Sequence, residues 1–120
     1  MVDIRKDVYD ALCAGCPGAD VSDAWPRDWA RLPKVTYTEE NNAVEEWTDN
    51  AEQSARIVYR IDVWDKRSTT AIAAQVDAAM ASIGMLRTMS RDVPSGTDPA
   101  KHRQMRYECI ADRATPYVFH

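Results

Sequence analysis

The sequence predicts an α+β domain: about four antiparallel strands with two helices packed on the sheet. Two observations support this fold class. Residues 56–65 alternate between an apolar set and a largely charged set, which is typical of a strand with one buried face. Apolar residues three or four apart then follow, which is typical of an amphipathic helix. The apolar strand positions are Ile57, Tyr59, Ile61 and Val63, and the apolar helix positions are Ile72, Val76, Met80 and Ile83.

A first helix precedes this unit near the start of the chain. Asp3 can cap it, Val8 and Leu12 lie on its apolar stripe, and it is predicted to end between residues 14 and 17. The chain around Val21 is interpreted as a short strand or an extended segment. Residues 22–33 contain two prolines that interrupt regular pairing and are predicted to form an irregular connection.

The remaining elements are two hairpins and a tail. A strand begins at Lys34, a turn or bulge is predicted at residues 39–42, and residues 48–53 form a polar connection to the strand at 56–65. Ser68 is placed to cap the second helix and Gly84 to end it. Residues 85–93 and 104–112 are two further strands, joined by a loop at 94–99. We expect one domain over residues 1–120, with residues 114–120 as an extended C-terminal tail.

Composition excludes several classes of function. The chain has 120 residues, of which 45% are hydrophobic and 28% charged, so a single globular domain is expected. Its formal charge of −4 argues against a general binder of nucleic acids or anionic membranes. No apolar run is long enough for a membrane span, and the N-terminal residues lack the apolar core of a signal peptide. These features predict a cytoplasmic protein without a membrane partner.

Cys13 and Cys16 form a Cys-x-x-Cys pair, a spacing used in thiol redox sites and zinc sites. A redox pair is usually found at a helix N-terminus, whereas this pair lies at the C-terminal end of the first predicted helix, where the helix dipole acts in the wrong direction. A zinc site needs two more ligands, and Cys109, His102 and His120 form no second close pair. A small metal- or thiol-dependent regulator therefore stays an alternative of another class, and no metal or cofactor is predicted.

No local pattern indicates an enzyme. The chain has four scattered glycines and no phosphate-binding loop, and neither histidine lies in a segment that pairs it with a nucleophile. No catalytic residue is therefore predicted.

Charge and tryptophan positions suggest an interface between copies of the chain. The segment between residues 38 and 53 is acidic, and the segment between residues 87 and 113 is mainly basic, so the two can meet head to tail in a ring. The alternative is a solvated hairpin with ordinary surface charge. The candidate interface or lumen residues are Glu39, Glu40, Glu45, Glu46, Trp47, Asp49, Glu52, Trp64, Arg103 and Arg106. Trp64 is included because it lies opposite the apolar face of its strand.

Three stretches resemble one family: residues 32–42 (LPKVTYTEENN), 46–50 (EWTDN) and 59–65 (YRIDVWD). The helix start at residues 68–71 (STTA) and the later pattern of Arg87, Asp92 and Met105 agree with it. Together they resemble the tail terminator or tail-completion (head–tail joining) proteins of long-tailed phages and prophages, over roughly residues 8–112.

This resemblance implies a non-enzymatic structural subunit that forms a ring, commonly a hexamer, at the head-proximal end of the virion tail. The implied partners are other copies of the chain, the tail-tube protein and the head connector proteins. Assembly would take place in the host cytoplasm. A hairpin of such a ring tends to approach the lumen through which DNA passes without specific binding. The acidic hairpin is the candidate here, since negative charge would repel phosphates. A head-completion or neck subunit is the structural alternative.

Overall fold

The computed structural model describes residues 2–23, 33–48, 51–94, 100–112 and 118–119. Within them the chain forms two helices and six strands. The helices are α1 (Arg5–Gly15) and α2 (Thr70–Ser82). The strands are β1 (Asp20–Asp23), β2 (Lys34–Thr48), β3 (Ala51–Asp65), β4 (Leu86–Val93), β5 (Lys101–Asp112) and β6 (Val118–Phe119).

The strands form one mixed sheet in the order β1-β2-β3-β5-β4, and β6 pairs with β5. The α+β class is confirmed, and the described strands exceed the expected four by the short β1 and β6. All pairs are antiparallel except β1 with β2, which is parallel. β2 therefore begins at the same end of the sheet as β1.

The alternation of β3 places one of its faces in the core, as predicted. Ile57, Tyr59, Ile61 and Val63 are all fully buried, and both helices contribute buried residues to the same cluster. Because β3 lies between β2 and β5, it is the central support of the sheet. The core contacts from the helices, and from the residue that precedes α1, are made by Ile4, Val8, Leu12, Val76, Ala79 and Met80.

The two helices also pack directly against each other. A Cβ atom added at Gly15 would lie 2.7 Å from the Cβ of Ala79, so glycine permits this close approach. The N-cap residue of α1 is Ile4 and not the predicted Asp3, but Asp3 lies just before it and accepts a hydrogen bond from the backbone N–H of Arg5 at 3.0 Å.

The second helix begins one residue later than the predicted cap implies. Its N-cap residue is Thr69, and the Ser68 Oγ accepts the backbone N–H of Thr70 at 3.2 Å. Gly84 follows the helix with a φ of 81°, a conformation that favours glycine.

The β2–β3 hairpin is longer than predicted. Residues 39–42 hold a β-bulge and no turn, because Glu40 is the extra residue between the Glu39–Tyr59 and Asn41–Val58 pairs. The polar connection predicted at residues 48–53 is wrong for Ala51 and Glu52. Both belong to β3, where they pair with Thr48 and Trp47. Each strand of the hairpin has 15 residues, which accounts for an elongated molecule of 53 × 26 × 23 Å.

Neither helix of the described chain is long and apolar enough to cross a membrane.

Candidate assembly surface

One face of the sheet is turned away from the helical core, and we call it the second face. Register and alternation place on it the even-numbered residues of β3 and β5, together with Lys34, Thr36 and Thr38 of β2. Part of it is buried: Lys34 and Thr36 have no exposed surface, and Asp62 is only 2% exposed.

Ion pairs run across the second face. Arg106 Nε donates to Glu40 Oε1 at 2.6 Å, and a second guanidinium nitrogen lies 3.3 Å from Glu40 Oε2, so the pair is bidentate. Arg60 Nε donates to Asp62 at 2.9 Å, and Arg56 donates to Glu108 at 2.5 Å. These pairs balance the charges of the face within one chain.

Trp64 and His102 form the aromatic part of this face. Their rings stack with centroids 4.4 Å apart, and His102 Nε2 lies 2.8 Å from Asp62 Oδ1. Trp64 is only 6% exposed. Its own chain therefore covers Trp64, and little of its surface remains for contact with another copy.

The structure separates the other predicted interface residues. Glu40 and Arg106 do meet, but within one chain. Arg103 lies on the opposite face, where it donates to Thr69 Oγ1 and Ser90 Oγ, and it forms an ion pair with Asp92 at 3.3 Å. Arg103 and Arg106 therefore do not form one basic surface.

The acidic residues Glu39 and Glu40 of the hairpin also lie on opposite faces of the sheet. Glu39 accepts from Asn42 at 3.1 Å and lies 3.9 Å from Arg5 of α1, whereas Glu40 lies on the second face. Glu45, Glu46, Trp47 and Glu52 lie in the paired strands of the distal hairpin. Asp49 lies outside the described residues.

The two edges of the sheet are the feature that sequence reasoning did not resolve. No other described strand pairs with the outer side of β1 or of β4. Leu86 on β4 is 60% exposed, and the one contact of Arg91 within the described part of the chain is with Gln104, at 2.9 and 3.3 Å. The signal in the sequence is the pair of arginines in β4, but the strand order is needed to place it at an edge.

Two of the three cysteines are poorly suited to thiol chemistry. Cys13 is exposed, whereas Cys16 and Cys109 are buried. Burial raises the pKa of Cys16 to about 11 and that of Cys109 to about 12, so both stay protonated near neutral pH. Among the described residues, no group of three or more His, Cys, Asp or Glu side chains is arranged to hold a metal ion.

A cleft of about 380 Å³ lies where α2 begins. Polar side chains line it, among them Ser68, Thr70, Lys101 and Arg103. The Arg103 guanidinium already contacts the Asp92 carboxylate there, so its charge is balanced within the chain.

We expect the Glu40–Arg106 pair to contribute to the stability of the fold to a degree that depends on pH. The hydrogen bond from Arg106 holds the pKa of Glu40 below its usual range. The pair therefore stabilises the fold fully above the pKa of Glu40 in the unfolded chain, and this contribution is lost as the pH falls through the lower folded value. We expect the contribution to stay below about 1 kcal/mol, since both side chains are partly exposed.

Urea unfolding of wild type and Arg106→Gln between pH 7 and about pH 3 measures the contribution of the Glu40–Arg106 pair to the free energy of unfolding, since carboxylates titrate in that range. The difference between the two proteins should shrink in acid. The exposed Lys66 provides a control, because Lys66→Gln removes one positive charge and should give a difference that does not depend on Glu40. A wild-type to Arg106→Gln difference that is constant with pH would contradict the assignment.

Neither the comparison with protein-family models nor the comparison with curated proteins gives a match for this chain.

Proposed function

We propose that this chain is a non-enzymatic structural protein of a phage or prophage virion. It is a ring-forming tail terminator, or tail-to-head joining subunit, that caps the tail tube and docks to the head connector. The observation that supports this most is the long β2–β3 hairpin, which extends a small α+β core into an elongated subunit. An elongated subunit with a projecting hairpin suits a ring, because the core can pack against neighbours while the hairpin reaches the lumen or the next layer.

The charges of the hairpin limit what it contributes to a lumen. Glu39 and Glu40 face positive side chains of the same chain, so their charges are partly balanced. The negative potential proposed for the lumen therefore depends on Glu45, Glu46 and Glu52 in the distal strands. Carboxylates at these positions would repel DNA phosphates and let DNA pass without binding.

Electron microscopy and mass photometry of the purified protein, alone and mixed with polymerised tail tubes, test this function. We expect rings with a central lumen, and added density at one end of each tube. Rings that bind the head connector and leave the tubes uncapped would indicate the neck subunit instead. A protein that stays monomeric at high concentration and in the presence of tubes and connector would overturn the proposal.

A further inference from the structure

One arginine of the described strands has no carboxylate partner among the described residues. The described strands contain the arginines Arg56, Arg60, Arg87, Arg91, Arg103 and Arg106. Five of these contact a carboxylate within the chain: the partners are Glu108, Asp62, Asp77, Asp92 and Glu40. Among the described residues, Arg91 contacts only the side-chain oxygen of Gln104. Its position on the edge strand β4 leaves it open to a carboxylate from another molecule.

The opposite edge of the same sheet offers such carboxylates. β1 consists of four residues, and Asp20 and Asp23 are two of them. Asp20 uses its Oδ2 atom to contact the ammonium group of Lys34, and 39% of its side chain remains exposed. A carboxylate has two oxygens and can accept from two cations.

The strand directions permit the two edges to meet. β1 runs parallel to β2, and each following neighbour in the order reverses direction, so β4 runs opposite to β1. A second copy placed beside the first, with its helices on the same face, would therefore add β1 antiparallel to β4. This arrangement continues the sheet from copy to copy and is heterologous, as ring closure requires.

Pairing of each edge with itself is less favourable. An antiparallel pair of β4 strands that matches the two faces over residues 89–93 places Arg91 directly opposite Arg91 of the other copy. Two antiparallel β1 strands with matched faces would place Asp20 opposite Ser22, or Asp23 opposite Val21, and would therefore join no opposite charges. Like charges opposite one another are destabilising, whereas β1 beside β4 joins opposite charges. The extra residue Thr88 in the β4 ladder further restricts which partner strand fits.

We propose that β4 of one copy pairs antiparallel with β1 of the next copy, with Arg91 opposite Asp20 of that copy. Matching of faces leaves either Asp20 or Ser22 opposite Arg91, and charge selects Asp20. Asp20 then lies between two cations, Lys34 of its own chain and Arg91 of its neighbour. The inference rests on the proposed ring and names the edges that build it.

A charge reversal tests the edge assignment. Arg91→Glu places a carboxylate opposite Asp20. We therefore expect the protein concentration required for ring formation to rise at least tenfold. Lys66→Glu makes the same change of charge at an exposed position away from both edges and should leave ring formation unchanged. Circular dichroism and thermal unfolding of both variants verify that each one folds.

A disulfide tests the register independently of stability. In the proposed register Asp23 lies opposite Thr88, and both residues are exposed. With Cys13 replaced by serine, a mixture of Asp23→Cys and Thr88→Cys proteins should give a cross-linked dimer under mild oxidation, whereas Asp23→Cys with Lys66→Cys should not. Wild-type rings together with intact Arg91→Glu rings and no cross-link would overturn this inference and leave the proposed function standing. Absence of wild-type rings would overturn the proposed function and this inference with it.

Discussion

Replacement of Asp20 by asparagine is expected to lower the free energy of unfolding by about 1–3 kcal/mol, less than for a fully buried ion pair because 39% of the Asp20 side chain is exposed. The ammonium group of Lys34 contacts the Asp20 carboxylate, and Lys34 has no exposed surface. Removal of the carboxylate therefore leaves a buried charge without its partner, and that desolvation cost is no longer offset. Urea unfolding monitored by circular dichroism measures the loss.

The double variant Lys34→Met with Asp20→Asn separates charge from packing. Methionine has similar length and no charge, so the double variant should recover most of the stability lost by Asp20→Asn alone. Asp20→Asn and the double variant differ only at residue 34, so the comparison isolates the effect of the Lys34 charge. A double variant as unstable as Asp20→Asn would show that the ion pair is not the cause.

Gly15→Ala is expected to destabilise the fold by about 1–2 kcal/mol, although alanine is the better helix former by about 1 kcal/mol. The new methyl group would lie 2.7 Å from the Cβ of Ala79. That carbon is attached directly to the α2 backbone, so relief requires the two helices to move apart. Thermal unfolding of the variant should show the loss as a lower Tm.

Two further variants identify the contact. Gly18→Ala places its methyl group where no heavy atom lies within 4 Å, so it should leave stability unchanged or slightly raise it. Ala79→Gly removes the clashing atom, so combining it with Gly15→Ala should be less damaging than the two separate losses added together. Strict additivity of the two losses would contradict a contact between these residues.

The sequence predicted those elements whose buried face repeats without interruption. β3 and β5 alternate regularly, and their apolar residues form the core side of the sheet as expected. The stripe of α1 and the end of α2 at Gly84 were predictable for the same reason, because local spacing and one turn residue determine them.

Other features depend on pairings that local pattern does not contain. β1 has four residues, too few to show a period, and its parallel pairing depends on the return of the chain. Alternation placed Trp64 on the correct face, but its burial depends on its neighbours in space. Glu40 and Arg106 are 66 residues apart, and only the registers of β2 with β3 and of β3 with β5 bring them together. The assembly surface was therefore the least predictable part.

The bulge at Glu40 has a consequence for how the hairpin tolerates changes in length. Glu39 pairs with Tyr59 and Asn41 with Val58, so Glu40 is the one residue at this point without a partner across the ladder. Deletion of Glu40 would close the ladder and leave every later side chain of β2 on its present face. Deletion of a paired neighbour such as Thr38 would reverse the faces of the residues on one side of it. Insertions and deletions among related chains should therefore concentrate at this position.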